Sequence, residues 1–171
     1  MNRSVIIQFL SFFFYFLFQV LVLKNLVLFH VAFCFLYLVF LLSLPIDTNP
    51  VLLMMIGFLL GISIDIFYDS LGLHAFSMVL VAYLRNYWLA VITPQGGYDA
   101  GTLPVLEANG IKWFLLYTIP LIFIHHFVLF FWEVAGFRNF WFTFLKIISS
   151  MMFTLVVILI LQFTFGSRRR I

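Results

Sequence analysis

The feature that most constrains the fold is a series of apolar runs, each about twenty residues long, that recurs along the chain. A helix needs about 20 predominantly apolar residues to cross a bilayer, so these runs are long enough to do so. Only 9% of the 171 residues are charged, against about 25% in a soluble domain. The sequence therefore predicts an all-α integral membrane protein with a single transmembrane domain over residues 1–171.

Prolines, glycines and polar residues divide the runs into about six predicted helices. Pro50 suits the first position of the third helix, and Pro120 predicts a kink in the fifth. The first run is too long for the core of a signal peptide, so we expect a retained helix. The predicted helices cover about 4–23, 26–44, 51–67, 73–92, 111–132 and 141–165, with a loop over 93–110 and a short interfacial helix at 103–108.

The basic residues predict the orientation, because short cytoplasmic loops of membrane proteins carry an excess of lysine and arginine. With six helices, the side of the two termini would hold Arg3, Arg85, Lys112 and Arg168 to Arg170, and the other side Lys24, Arg138 and Lys146. Both termini and the 93–110 loop are therefore predicted to be cytoplasmic. Arg168, Arg169 and Arg170 are expected at anionic lipid headgroups rather than on a nucleic acid.

Polar and small residues crowd into one stretch of this apolar chain, residues 57–75. Gly57 and Gly61 stand four apart, so they share a helix face along which another helix can approach closely. Asp65 and Asp69 also stand four apart and are expected to share a face. A carboxylate near membrane depth is costly and implies a polar interior, an aqueous vestibule or a partner. Gly72 and His74 complete the motif, Gly72 by ending the helix.

The sequence lacks the patterns that the common hydrolytic chemistries require. It has no GxxxxGK[ST] loop, no HExxH pair and no GxSxG turn. An intramembrane aspartyl protease would need a second aspartate in a later span, and none is present there. We therefore predict a protein that is not an enzyme and uses no cofactor or metal. The single Cys34 excludes an internal disulfide. Proton binding or relay by Asp65, Asp69 and His74 is an alternative to a purely structural role, in which Asp69 and His74 order the turn.

Other polar residues lie alone within the apolar runs. Gln8 and Gln19 are eleven apart, about three helical turns, and are expected to face the bundle together. Tyr83, Tyr87 and Trp88 lie near Arg85 and are typical of a membrane-interface belt.

The motif resembles that of the MreD family of bacterial rod-shape-determining membrane proteins. The resemblance lies in Gly61-Ile-Ser-Ile-Asp65 followed by Asp69-Ser-Leu-Gly72-Leu-His74-Ala, with Pro50 before it and Leu-Arg85 and Pro94-Gln-Gly-Gly after it. It implies a location in the bacterial inner membrane. It also implies a fold similar to the substrate-binding component of energy-coupling-factor transporters, with six helices around a central cavity.

The same resemblance implies a non-enzymatic scaffold of the cell-elongation complex, which supports cell shape and lateral peptidoglycan synthesis. The expected partners are an MreC-like single-span protein and, directly or through it, an MreB-like filament and the wall-synthesis enzymes. Gly57 and Gly61 could dock the partner span, or could pack helix three inside its own bundle. The alternative function is a small-molecule, vitamin-like binding component of a membrane transporter, which would need converging polar side chains.

Overall fold

The structure, a computed structural model, describes residues 3–134 and 139–166. Helices account for most of these residues, and a two-stranded antiparallel hairpin is the only sheet within them. A 3₁₀ turn at Leu23–Asn25 follows the first helix. In chain order the elements are α1 (Arg3–Leu21), β1 (Val27–Leu28), β2 (Ala32–Phe33), α2 (Leu38–Leu42), α3 (Pro50–Tyr68), α4 (Leu73–Val91), α5 (Leu106–Glu133) and α6 (Phe140–Gly166).

Four helices are long and apolar enough to cross a membrane, namely α1, α3, α5 and α6. They fit a multi-pass membrane protein. Helix α4 has 19 residues, the same length as α3, but carries His74, Arg85 and Asn86 and is less apolar. Helix α3 begins at Pro50, as the sequence predicts, and the side chain of Asn49 caps it by accepting hydrogen bonds from the N–H groups of Val51 and Leu52.

The predicted second helix, 26–44, is wrong. Residues 27–33 form a hairpin in which Val27 lies opposite Phe33, and only Leu38–Leu42, five residues, is helical. We call residues 26–44 the crossing segment. The prediction failed because hydropathy measures burial, and an apolar run buried in protein can be extended as well as helical.

Residues 32–44 of the crossing segment run through the interior of the bundle, antiparallel to α3, whereas residues 26 and 28–30 at its start are exposed. Near its start, Lys24 donates a hydrogen bond to the carbonyl of Phe67 at the end of α3; after it, the chain returns to Pro50, where α3 begins. Every side chain from residue 34 to residue 42 is buried. Non-helical backbone at membrane depth is tolerated only inside protein or along a water-filled cavity, and this segment satisfies the first condition.

The remaining helices form an antiparallel series in which α4 contacts both α3 and α5, and α6 contacts α5 and β2. One end of the bundle, the hairpin end, holds β1, β2 and the turn of residues 69–72. The opposite end, the loop end, holds residues 45–49 and 92–105. There the Ile46 N–H donates to the Thr102 carbonyl at 3.0 Å, and the Gly101 N–H donates to Asp47 Oδ2 at 3.0 Å. The two connections are therefore joined to each other.

The predicted loop over 93–110 includes the first turn of α5, which begins at Leu106. Gly110 interrupts that helix with φ 77° and ψ 161°, so residues 106–109 form a separate helical turn that overlaps the expected short helix at 103–108, and the longer part of α5 begins after Gly110, as predicted. The break lies at Gly110, whereas α5 continues through Pro120. A glycine takes this positive φ without the steric cost that other residues bear.

Candidate functional site

Gly57 and Gly61 bring α4 into contact with α3. A Cβ atom added at Gly61 would lie 2.4 Å from Ala75 Cα and 2.8 Å from the His74 carbonyl oxygen. At Gly57 the nearest atom would be the Met78 carbonyl oxygen, at 3.2 Å. The glycine face is therefore occupied by the protein's own α4, and of the two roles considered for it, packing inside the bundle is the one that these contacts describe.

Asp65 supplies the cap of α4. The N-cap residue of that helix is Gly72, which has no side chain to offer, so its first N–H groups need another acceptor. The His74 N–H donates to Asp65 Oδ1 at 3.0 Å and the Ala75 N–H to Oδ2 at 2.9 Å. The Ser70 hydroxyl donates to Oδ1 at 2.6 Å. With three donors and the positive end of a helix dipole, the buried carboxylate is stabilised without a basic partner.

Asp69 does not share a face with Asp65, so this expectation is wrong. Helix α3 ends at Tyr68, and Asp69 adopts a left-handed conformation with φ 54°, which turns its exposed side chain away from the helix face. Its N–H still donates to the Asp65 carbonyl and closes the last turn. The pair of carboxylates predicted from the spacing is therefore one buried acceptor and one exposed end residue.

His74 contacts a chain of side chains that the sequence does not reveal. Its Nδ1 lies 2.7 Å from the Tyr37 hydroxyl, which also lies 2.8 Å from His125 Nε2. Tyr37 and His125 are fully buried and His74 is 3% exposed. His125 Nδ1 has no hydrogen-bond partner. Tyr37 and His125 come from the crossing segment and from α5, so only the fold brings them to the motif.

The neighbouring His126 has a different environment. Its Nδ1 lies 2.8 Å from the Ile122 carbonyl, which can only accept, so Nδ1 carries the hydrogen. Its Nε2 then accepts from the Thr154 hydroxyl at 3.2 Å, and the same hydroxyl oxygen accepts the Phe35 N–H at 3.1 Å. Both ring nitrogens of His126 are therefore used.

Gln19 holds the extended part of the crossing segment. Its amide nitrogen donates to the Cys34 carbonyl at 2.9 Å and to the Tyr68 hydroxyl at 2.8 Å, and its oxygen accepts the Leu36 N–H at 2.8 Å. The prediction that Gln19 faces the bundle is confirmed, since it is fully buried, while Gln8 is half-buried. Buried backbone groups outside helices need such partners.

Arg85, which the charge count placed on the cytoplasmic side with Tyr83, Tyr87 and Trp88 near it, points into the bundle. It is fully buried, and its Nε donates to the Tyr117 hydroxyl at 2.7 Å. Its Nη2 donates to the carbonyls of Leu44 and Pro45, where the crossing segment ends. Helical periodicity places residue 85 on the inner face together with Ser77, Met78 and Val81, which loop-based charge counting ignores.

The other charged groups are spread over the two ends. At the hairpin end Lys146 pairs with Glu133 at 2.8 Å and lies 4.3 Å from the centre of the Phe130 ring. At the loop end an open cleft of about 250 Å³ is lined by Asp47, Asn86, Thr93 and Tyr98, among others. Arg168, Arg169 and Arg170, the predicted headgroup-binding residues, lie outside the described residues.

Within residues 3–134 and 139–166, no group of three histidine, cysteine or acidic side chains could hold a metal ion. The motif forms a capped helix pair, and the buried side chains beside it form a hydrogen-bond chain.

No family model, no curated protein and no solved structure matches this chain. The resemblance to the MreD family therefore stays a prediction from the motif.

Proposed function

We propose that this protein is a non-enzymatic membrane scaffold of the cell-elongation complex, similar to MreD, that supports lateral peptidoglycan synthesis by binding an MreC-like single-span protein in the bacterial inner membrane. The observation that carries the proposal is that residues 57–75 work together as a structural unit. Gly57 and Gly61 admit α4, and Asp65 caps it. A motif that builds a rigid helix pair is what a binding platform in the membrane requires.

The partner span would dock on a surface other than the glycine face, because α4 covers that face. At the proposed cytoplasmic side, the candidate surface for the part of the partner that leaves the membrane is the loop of residues 92–105, which Asp47, just before α3, holds through the Gly101 N–H. This hydrogen bond holds an exposed loop in a fixed position, and a fixed position favours binding because less conformational entropy is lost when the partner binds. An MreB-like filament and the wall-synthesis enzymes would then associate directly or through the partner.

The test is affinity purification of the tagged protein from its native membrane in mild detergent, followed by mass spectrometry. We expect an MreC-like single-span protein and wall synthases. A second purification would use a variant with residues 96–101 scrambled, with Asn25→Ser, at the opposite end of the bundle, as the control. Loss of the partner only in the scrambled variant supports the loop as the docking surface, and recovery of no elongation protein from the unmodified chain rejects the proposal.

The alternative, a vitamin-like binding component of a transporter, is favoured by one observation, the polar cleft at the loop end. Its volume of about 250 Å³ is slightly below the usual range of about 300–1,000 Å³ for ligand pockets. The bundle centre, where a cavity is implied by the fold resemblance, is occupied by residues 34–42. Copurification of an ATPase pair with a coupling membrane subunit would support this alternative and reject the scaffold.

A further inference from the structure

The His74–Tyr37–His125 chain is used neither by the cap of α4 nor by the proposed scaffold. A phenol has one hydrogen, so Tyr37 can donate to only one of the two imidazole nitrogens and must accept from the other. One of the two histidines therefore carries a hydrogen on the nitrogen that faces Tyr37. In a neutral chain the second nitrogen of His125 stays without a partner in either arrangement.

One added proton can be shared along this chain. If His125 holds both ring hydrogens, its Nε2 proton can pass to the Tyr37 oxygen while the Tyr37 proton passes to His74 Nδ1. Both transfers occur over hydrogen bonds of 2.8 Å and 2.7 Å and need no movement of a heavy atom. The positive charge then lies on His74, and both rings and the phenol keep complete valences.

The Asp65 carboxyl group lies beside one end of the chain, and both of its oxygens accept hydrogen bonds. Asp65 accepts hydrogen bonds only from neutral donors, and no basic side chain of the described residues forms an ion pair with it. The backbone N–H of His74 itself bonds to Asp65 Oδ1 at 3.0 Å. Burial disfavours a charged ring at His74, and the ionised carboxylate of Asp65 would stabilise an imidazolium there against that cost, since attraction between opposite charges is strong inside a protein.

The other titratable groups around the chain leave this assignment intact. Tyr68 lies 5.0 Å from His74 between ring centres, and Cys34 lies buried on the crossing segment. His126 lies 5.3 Å from His125, but both of its nitrogens already have partners. On α6 the charge of Lys146 is matched by Glu133.

We propose that His74, Tyr37 and His125 form a buried binding site for a single proton, with Asp65 as its counter-charge. The proton comes from water at the hairpin end, where Ser70 and Tyr68 are half-buried. The hydrogen-bond chain stops at His125, so the described residues make a site that holds a proton rather than a path that conducts it. No electron transfer or co-reactant is involved.

The test is ¹⁵N NMR of the full chain in lipid nanodiscs with ring-labelled histidine, titrated from about pH 8 to about pH 5, a range that spans the ordinary pKa of histidine. The ring shifts distinguish the neutral tautomers from imidazolium. The signal of the exposed His30 is identified by its loss in His30→Gln, and we expect one imidazolium shared by His74 and His125. His126 should remain neutral throughout.

Tyr37→Phe removes only the hydroxyl and should abolish the shared imidazolium, and Asp65→Asn should do the same. Tyr83→Phe, at an exposed position, is the matched control and should leave it unchanged. If Asp65→Asn does not fold, the unmodified protein and Tyr37→Phe decide the question. Absence of a shared imidazolium in the unmodified protein, or its persistence in Tyr37→Phe, would overturn the site.

Discussion

The α3–α4 pair and the crossing segment are made from similar apolar residues but are specified in different ways. The pair depends on signals close together in sequence, such as two glycines four apart and a carboxylate nine residues before the N–H group it caps. The crossing segment depends on distant side chains, such as Ser150 and Thr154, which lie 117 and 119 residues away from the N–H groups they bind. Local signals can be read from one sequence, whereas distant partners become visible only in the fold.

Gly61→Ala should destabilise the α3–α4 pair more than any other substitution considered. Its new Cβ would meet the backbone of Ala75 at 2.4 Å, and backbone cannot move aside as a flexible side chain can. We expect a loss of about 3 kcal/mol or more in the free energy of unfolding, measured by denaturant titration in mixed micelles. Gly57→Ala, where the nearest contact is 3.2 Å, is the control and should lose much less. Equal losses would contradict the close approach at Gly61.

Asp65→Leu should have the next largest effect, because it leaves the His74 and Ala75 N–H groups buried without acceptors. We expect a loss of about 3 kcal/mol, since each unsatisfied group costs about 1–3 kcal/mol. Asp65→Asn keeps one acceptor oxygen and should lose roughly half as much. The same titration measures both variants, and identical losses would mean that the cap contributes nothing.

Gln19→Leu tests whether a side chain from α1 holds the crossing segment. It removes the partners of the Leu36 N–H and the Cys34 carbonyl, so we expect a loss of about 2 kcal/mol. Cys34 is 1% exposed and gives a direct measurement, since maleimide labelling in membranes should become faster as the segment opens. Gln8→Leu is the control on the same helix. Unchanged labelling in Gln19→Leu would show that the segment is held by other contacts.

Thr154→Val should have a smaller effect on the same segment, about 1 kcal/mol. It removes one acceptor of the Phe35 N–H and one donor to His126, but keeps the side-chain volume. The measurement is again Cys34 labelling together with the denaturant titration, and Thr164→Val, at an exposed position, is the control. A loss larger than that of Gln19→Leu would reverse the order of importance inferred for the two anchors.

The smallest effect is expected for Asp69→Asn. The side chain is exposed, and asparagine tolerates the left-handed conformation as aspartate does, so stability should change by less than about 0.5 kcal/mol. Asp65→Asn makes the same chemical change at a buried position, so the two losses of stability can be compared directly. A loss comparable to that of Asp65→Asn would restore the paired carboxylates that the spacing predicted.

Long helices with clear start and stop signals were predictable from the sequence. Asn49 and Pro50 mark the beginning of α3, and Gly72 marks the break before α4. The crossing segment was not predictable, because its apolar residues suit either a helix or a buried extended chain. The burial of Arg85 was not predictable, because counting charges assigns arginines to loops and ignores partners such as the Leu44 and Pro45 carbonyls that can hold one against the bundle.

The residues of the candidate site also fall into those that the local sequence predicts and those that only the fold brings together. Gly57, Gly61, Asp65 and His74 were singled out by their spacing in an apolar background. Tyr37 and His125 were not, since Tyr37 lies 37 residues from His74 and 88 residues from His125 in the sequence. One signal was present: a tyrosine and two adjacent histidines inside apolar runs are polar groups that must find partners.

The cap that Asp65 places on α4 has a consequence for how the protein enters the membrane. Helix α4 is not among the helices apolar enough to cross a bilayer alone, and its first N–H groups have an acceptor only when α3 is beside it. We expect α3 and α4 to leave the translocon as a helical hairpin, with the carboxylate already seated. Biosynthesis would then depend on the order of emergence, and ribosomes stalled between the two helices should yield an intermediate still held at the translocon.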